Sequence, residues 1–300
     1  MSKLAEMIVA ALTEGSLLAL LAVAFSVVFA TTRLVNLATG AISLAAAYGL
    51  LWVTSADWLD GPAWLGVLVA LLIGVVSSVL VYYAAIVPFG RFDPSSNIGW
   101  ILTTFAAGLL LIEIALIWFT NQTLPVSPVV SSVFGWTGFQ LVDTPVEAND
   151  LLLVGSALVL IGSLIWAERH SLSGRLFQAV SQDRDAAALQ GINPRTVIVR
   201  SFVIAGVCAA VAAIGLAPAV GVGQTKFQLL GFKSLTAALI GGLGSVKGAA
   251  LGGFSLGLFV AILRVTENTR LEDPLLFFGL LAVLAIRPQG ILGRVAEEKA

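Results

Sequence analysis

Charged residues are scarce in this 300-residue chain: Asp, Glu, Lys and Arg make up only 11% of it. A soluble domain carries roughly a quarter. The formal net charge of −1 removes any global electrostatic basis for nucleic-acid binding. The chain has one histidine, His170, and one cysteine, Cys208. These exclude an intrachain disulfide, a Cys/His metal cluster and a Ser/His/Asp or Cys/His catalytic set. We therefore expect no metal, no cofactor and no catalytic residues.

Apolar residues are abundant instead, at 58% of the chain. A helix that crosses a hydrocarbon core about 30 Å thick needs about 20 mostly apolar residues. The sequence thus predicts an all-α integral membrane protein. It is a polytopic helical bundle with about eight or nine membrane segments, forming one transmembrane domain over residues 1–300. The predicted spans are 17–30, 37–54, 63–87, 98–119, 151–167, 197–220, a glycine-broken segment at 234–263, and 275–286.

One polar segment, residues 168–200, interrupts this pattern. It holds five arginines against three acidic residues, and basic loops favour the cytoplasmic side. Residues 120–150 contain Asp143, Glu147 and Asp150 but no basic residue, so we expect them on the opposite side. This alternation places the N-terminus outside. The basic residues Arg287, Arg294 and Lys299 favour a cytoplasmic C-terminus, which requires two passes within 234–263. The sequence leaves one pass and two passes both open.

A short helix is predicted within the polar segment. Ser181 is the expected N-cap, and Asp183 and Asp185 would lie near the positive end of the helix dipole. Gly191 is the expected stop, followed by Pro194. A capped helix of two to three turns, held between two spans, is suited to docking a soluble motor. The alternative is an amphipathic helix on the lipid surface, but the segment lacks the bulky apolar face for it.

Two segments, 36–48 and 234–248, are both rich in small residues and interrupted by glycine. Their corresponding positions in the two halves of the chain favour an inverted repeat with a solute path at its interface. The alternative is that small residues only permit tight helix packing. Glu113 is an ionisable residue within a span, and it either serves transport or anchors the bundle. The candidate path residues are Asn36, Thr39, Gly40, Glu113, Gly241, Gly242 and Gly244.

Four blocks resemble the LivH-like permeases of branched-chain amino acid ABC importers. Arg33-Leu-Val-Asn-Leu-Ala-Thr-Gly40 is similar to the family's Arg-Leu-Ile-Asn-Phe-Ala-His-Gly run. Residues 179–193 are similar to its cytoplasmic loop, and 239–253 to its glycine block. Residues 287–294, Arg-Pro-Gln-Gly-Ile-Leu-Gly-Arg, match its Arg-Pro-Gln-Gly-Leu-Phe-Gly ending. The chain departs from the family at Thr39, where the family has His, and at Lys247, where it has Pro.

The resemblance implies a membrane subunit that is not itself an enzyme. Its implied partners are a second related permease, two cytoplasmic ABC ATPase subunits and an extracytoplasmic solute-binding protein. The chain has no Gly-x-x-x-x-Gly-Lys-[Ser/Thr] motif, so the motor must come from those ATPases. The solute would be a branched-chain amino acid, urea, an amide or another small molecule. The alternative is a stand-alone secondary carrier or channel. The implied ATPase-coupling loop, at about 168–197, includes Gln182, Asp183, Arg184, Ala187 and Gly191.

Overall fold

The computed structural model describes residues 2–55, 58–88, 97–119, 122–141 and 144–266, together with 274, 275, 278 and 285. The described elements are α1 (Ser2–Thr32), α2 (Thr39–Thr54), α3 (Ala63–Val81) with a π-helical turn (Tyr82–Ile86), α4 (Asn97–Trp118), α5 (Val129–Phe134), β1 (Gly138–Leu141), β2 (Thr144–Glu147), α6 (Ala148–His170), α7 (Leu172–Gln182), α8 (Arg184–Leu189), α9 (Pro194–Val220), α10 (Gln224–Gly241) and α11 (Val246–Val265). The predicted span at 275–286, Asp143 and the C-terminal basic residues lie outside the described residues.

The predicted helical membrane fold is confirmed. Within the described part of the chain, six helices are long and apolar enough to cross a membrane: Lys3–Thr32, Ala63–Ile86, Gly99–Trp118, Ala148–His170, Pro194–Val220 and Val246–Val265. Helix α2 is apolar but shorter. Large apolar side chains are exposed along α3, α4 and α6, as expected for surfaces that lipid or another subunit covers. The total of eight or nine membrane segments stays a prediction.

Helix α1 is much longer than predicted, because it begins at Ser2 and not near residue 17. Its polar first half is stabilised by packing against α11. A Cβ on Gly253 would overlap Ala19, and one on Gly257 would overlap the backbone of Gly15. Small residues spaced by four on both helices therefore let the two backbones meet. The Glu14 carboxylate on α1 also forms an ion pair with Arg264 on α11, at 2.5 Å.

Helix α2 lies at the centre of the bundle. Thirteen of its sixteen residues are buried, and it packs against α3, α4, α9 and α10. One polar contact holds α2 to α9: the Ser43 hydroxyl donates to the Ala209 carbonyl at 3.1 Å. A helix that is apolar all round is buried either among other helices or in lipid, and α2 lies among other helices.

The glycine-broken segment predicted at 234–263 forms two helices, α10 and α11, joined by a tight turn at residues 242–245. A Cβ on Gly241 would collide with the carbonyl of Gly248, and one on Gly248 would collide with Gly241 in return. The two helices are therefore packed backbone to backbone as a hairpin. Of these two helices, α11 is among those long and apolar enough to cross a membrane and α10 is not, so one pass and two passes both stay open. Helix α10 also begins ten residues earlier than expected, at Gln224.

The polar connections lie at opposite ends of the bundle, separated by the 23-residue α6. One end carries α7 and α8, close to Arg33. The other carries α5 and the β1–β2 hairpin, in which Gly138 pairs with Glu147. Leu124 forms an isolated bridge with Val222 there. The basic and acidic connections were predicted on opposite sides, and the bundle agrees with that separation.

Candidate functional site: a docking loop and a cavity lined by glycines

Helix α8, in the polar segment, begins at a different residue from the one predicted. Asp183 is its N-cap, and Asp183 Oδ1 accepts from the backbone N–H groups of Asp185 at 2.9 Å and Ala186 at 3.0 Å. The prediction of Ser181 as the cap was wrong. The Ser181 hydroxyl donates to the Gln178 carbonyl at 2.8 Å, within the last turn of α7. Helix α8 has six residues, fewer than the predicted two to three turns.

The predicted stop of this helix is confirmed. Gly191 has φ +81°, a left-handed conformation that favours glycine. The backbone N–H of Ile192 then reaches the Ala187 carbonyl at 3.1 Å. Asn193 caps the next helix, α9, through a bond from Arg195 N–H to Asn193 Oδ1 at 3.1 Å. Capping at both ends thus sets α8 apart as a separate short helix between α7 and α9.

One face of α8 is anchored and the other is free. Ala187 is buried in a small apolar cluster with Val180 and Val197. Leu189 is 91% exposed, and Asp185 is exposed on the same helix. Gln182 and Gly191, at either side of α8, are exposed as well. Leu189 and Asp185 are therefore accessible to a partner on this side of α8.

Two arginines join this loop to the end of α1. Arg33 Nη2 donates to the Ser181 carbonyl at 2.7 Å. Arg184 Nε donates to the Thr31 carbonyl at 2.8 Å. Burial lowers the pKa of the Arg184 guanidinium, and the neighbouring charge of Arg33 lowers it further. Arg184 is thus a partly buried cation bound to a helix end.

A second feature is a cavity of about 30 Å³ between α1, α2, α4 and α10. Glycines from three helices form part of its wall: Gly40 from α2, Gly108 from α4 and Gly231 from α10. The other lining residues are Phe25, Leu37, Ala41, Phe105, Leu109, Ile112, Gln228, Phe232 and Leu235. The wall is therefore mostly apolar, with the Gln228 amide as its polar side chain.

The predicted path residues near α2 have separate tasks. Gly40 lines the cavity. Asn36 and Thr39 instead build the turn that starts α2: Ala38 N–H donates to Asn36 Oδ1 at 3.2 Å, and the Thr39 hydroxyl donates to the Asn36 carbonyl at 2.9 Å. Both side chains are buried, and Asn36 Nδ2 has no hydrogen-bond partner among the described residues. Glu113 is exposed on α4, one turn beyond Leu109 of the cavity wall.

Gly241, Gly242 and Gly244 lie apart from this cavity: Gly241 ends α10, and Gly242 and Gly244 belong to the α10–α11 turn. Gly242 and Gly244 have φ of +103° and +87°, which a glycine adopts readily. The Gly244 N–H donates to the Ser26 hydroxyl at 2.9 Å, which holds the turn against α1. The geometry at these three glycines therefore favours the tight-packing alternative, and a path role for them stays a prediction.

The sequence alone did not identify Phe105, Gln228 or Phe232. Nothing in the local sequence around these three residues marks them. They line one cavity only because helices distant in the chain, α4 and α10, both border it in the fold. No group of three or more His, Cys, Asp or Glu side chains suited to a metal ion occurs within the described residues.

Residues 7–285 match the family model described as the branched-chain amino acid transport system / permease component. The chain is 29% identical over 309 residues to the high-affinity branched-chain amino acid transport system permease protein LivH of Salmonella typhimurium, covering 96% of this chain and 94% of that protein. It is 39% identical over 150 residues to BraD of Pseudomonas aeruginosa, covering 50% and 48%. It is also 30% identical over 147 residues to the fructose import permease protein FrcC of Rhizobium meliloti, covering 46% and 41%.

The family match covers nearly the whole chain, and it agrees with six apolar helices and a capped polar loop. The predicted resemblance is confirmed. The family and the six apolar helices support a multi-pass protein of the bacterial inner membrane. The chain belongs to the permease component family of branched-chain amino acid ABC transport systems.

Proposed function

We propose that this chain is the membrane subunit of an ATP-driven importer for branched-chain amino acids or related small polar solutes. A second related permease would complete the membrane domain. Two cytoplasmic ABC ATPase subunits would bind at the α7–α8 loop, and an extracytoplasmic solute-binding protein would deliver solute at the opposite end. The observation that carries the proposal is α8, a short helix between two spans that is capped at both ends and presents Leu189 and Asp185 outward.

The proposed mechanism is alternating access. ATP closes the ATPase dimer, α8 moves with it, and the membrane helices open outward to receive solute. The cavity has a volume of about 30 Å³, and α4 and α10 would separate in the outward-open state to admit a solute. The apolar wall suits an aliphatic side chain, while the Gln228 amide offers one hydrogen-bonding group.

The lining of the cavity bears on which solute is transported. Relatives carry names for branched-chain amino acid transport and, in FrcC, for fructose import. Phe105 and Phe232 narrow the cavity here, which favours a compact aliphatic group over a polyhydroxylated sugar. Replacing either phenylalanine by alanine should widen the range of amino acids transported, whereas Gln228→Leu should weaken transport of all of them.

Co-purification tests the proposal most directly. The chain is tagged, extracted from its native membranes in mild detergent, and its partners are identified by mass spectrometry. We expect a second permease and two ATPase subunits. Recovery of the chain alone, under conditions that keep a known ABC importer intact, would overturn the proposal in favour of a secondary carrier or channel.

A coupling variant provides a functional test on the same preparation. Gly191→Arg strains the left-handed stop of α8 and adds bulk beside its exposed face. We expect ATP hydrolysis without matching solute uptake in proteoliposomes. Normal uptake by this variant would contradict a motor-docking role for α8.

A further inference from the structure

We propose that Arg33 and Arg184 form a reciprocal clasp that transmits movement of α8 to the entrance of α2 and to α4. They would act as positioning residues for transport, without contacting the solute. The inference rests on the function proposed above, because it requires a motor bound at α8.

The clasp joins two helix ends in both directions. Arg33 directly follows α1 and donates to the Ser181 carbonyl in the last turn of α7. Arg184 follows the end of α7 and donates to the Thr31 carbonyl in the last turn of α1. The final carbonyls of a helix lack intrahelical partners and carry partial negative charge. Each arginine therefore caps the helix from which the other one extends.

The clasp is maintained at an energetic cost. Arg33 has φ +58°, a left-handed conformation that a glycine would adopt with less strain. Arg184 Nη2 is buried without a hydrogen-bond partner among the described residues, and the two guanidinium charges repel each other. A glycine after α1 and a neutral residue at 184 would remove these costs. Strained and under-satisfied groups that persist in a fold tend to mark functional positions.

A short stretch of chain connects Arg33 of the clasp to the cavity wall. Residues 34–38 lead from Arg33 to the first turn of α2, where Gly40 lines the cavity. The Thr104 hydroxyl of α4 accepts from the Leu37 N–H at 3.4 Å. Its own proton has closer acceptors in the Trp100 and Ile101 carbonyls of α4, both at 3.1 Å, than in the Val35 carbonyl at 3.4 Å. Displacement of the α1–α7 junction would therefore act on α2 through the chain and on α4 through the Leu37–Thr104 bond.

The end of α1 is attached to α9 next to the clasp. The Thr31 hydroxyl donates to the Ser201 hydroxyl of α9 at 3.1 Å. The α7–α8 loop is bound to this pair through Arg184 and through the buried Ala187. Within the described residues, the two arginines thus provide polar links between the partner-facing loop and the end of α1.

The test uses the complete complex with its solute-binding protein in proteoliposomes. ATP hydrolysis and uptake of labelled leucine are measured together, and the ratio of solute transported to ATP hydrolysed is the readout. Arg33→Gln, Arg184→Gln and Arg184→Lys are compared with Arg175→Gln, which removes the same charge from an exposed position on α7. We expect each glutamine variant to lower the ratio roughly two- to tenfold, with Arg184→Lys intermediate. Arg175→Gln should leave the ratio unchanged.

The outcomes separate this inference from the proposed function. If the wild-type chain assembles no ATPases, the proposed function fails. If the wild-type complex couples hydrolysis to uptake and the Arg33 and Arg184 variants keep the same ratio, only the clasp is overturned. If Arg184→Gln lowers the yield of folded complex, the exposed Arg33 carries the test. An equal drop for Arg175→Gln would also overturn the clasp, since the effect would then be one of general charge.

Discussion

Gly40 of α2 and Gly231 of α10 face each other so closely that a Cβ built on Gly231 would lie 3.0 Å from the Cα of Gly40. A Cβ on Gly40 would in turn lie 2.9 Å from the carbonyl oxygen of Phe227. This crossing lies in the wall of the cavity, so the same two residues set both helix packing and the width of the proposed path.

A Gly40→Val substitution should therefore abolish uptake. The added side chain meets backbone, which cannot rotate away, and overpacking of this kind costs about 1–3 kcal/mol. We expect a lower melting temperature for the purified complex and loss of leucine uptake in proteoliposomes. Gly155→Val on α6 is the matched control, because nothing lies within 4 Å of its Cβ position. Equal transport by the two variants would contradict a path beside Gly40.

Asp183 and Ser181 give a second prediction, on the stability of α8. Asp183→Ala removes the acceptor of two backbone N–H groups, which should cost about 1 kcal/mol of local stability. We expect faster hydrogen exchange in residues 184–189 and weaker recovery of the ATPase subunits. Asp183→Asn should retain most of the cap. Ser181→Ala should have little effect, since that hydroxyl bonds only within α7.

Leu189 gives a third prediction, on partner binding. Its side chain is almost fully exposed, so Leu189→Gln should leave the fold and melting temperature of the isolated permease unchanged. If an ATPase covers it, the same change should reduce co-purified ATPase several-fold. Leu172→Gln, at an exposed leucine at the start of α7, is the control for simple loss of surface apolarity. Identical behaviour of the two variants would count against a docking site centred on α8.

The sequence predicted the helix positions well wherever hydropathy decides them. The centres of α3, α4, α6 and α9 all agree with the predicted spans, because a bilayer core demands a fixed length of apolar chain. The start of α1 was missed, since Lys3, Glu6 and Glu14 interrupt its apolar pattern. Packing against α11 and the Glu14–Arg264 ion pair make that polar half stable. Neither contact can be read from local pattern.

The site was only partly predictable for a related reason. Gly191 was identified because its role is local, at the end of a helix. The acceptors of Arg33 and Arg184 are backbone carbonyls, and every residue has one, so no sequence pattern marks them. The cavity combines helices separated by up to about two hundred residues, and its glycines are significant only in pairs. Gly241 and Gly242 lie among small residues as Gly40 does, yet they form the end of α10 and the start of the following turn.

Glu113 gives the last prediction, because its exposure on an otherwise apolar face of α4 has two explanations with opposite consequences. Its neighbours Leu109, Leu110 and Ile117 are also exposed. An ionised carboxylate facing lipid costs several kcal/mol and would be kept only near the membrane boundary. If Glu113 faces the second permease or the solute path, Glu113→Leu should lower uptake and the recovery of that permease, while Glu113→Gln retains assembly. If it faces lipid, Glu113→Leu should raise the melting temperature and leave uptake intact. Melting curves and uptake measured on the two variants side by side distinguish the explanations.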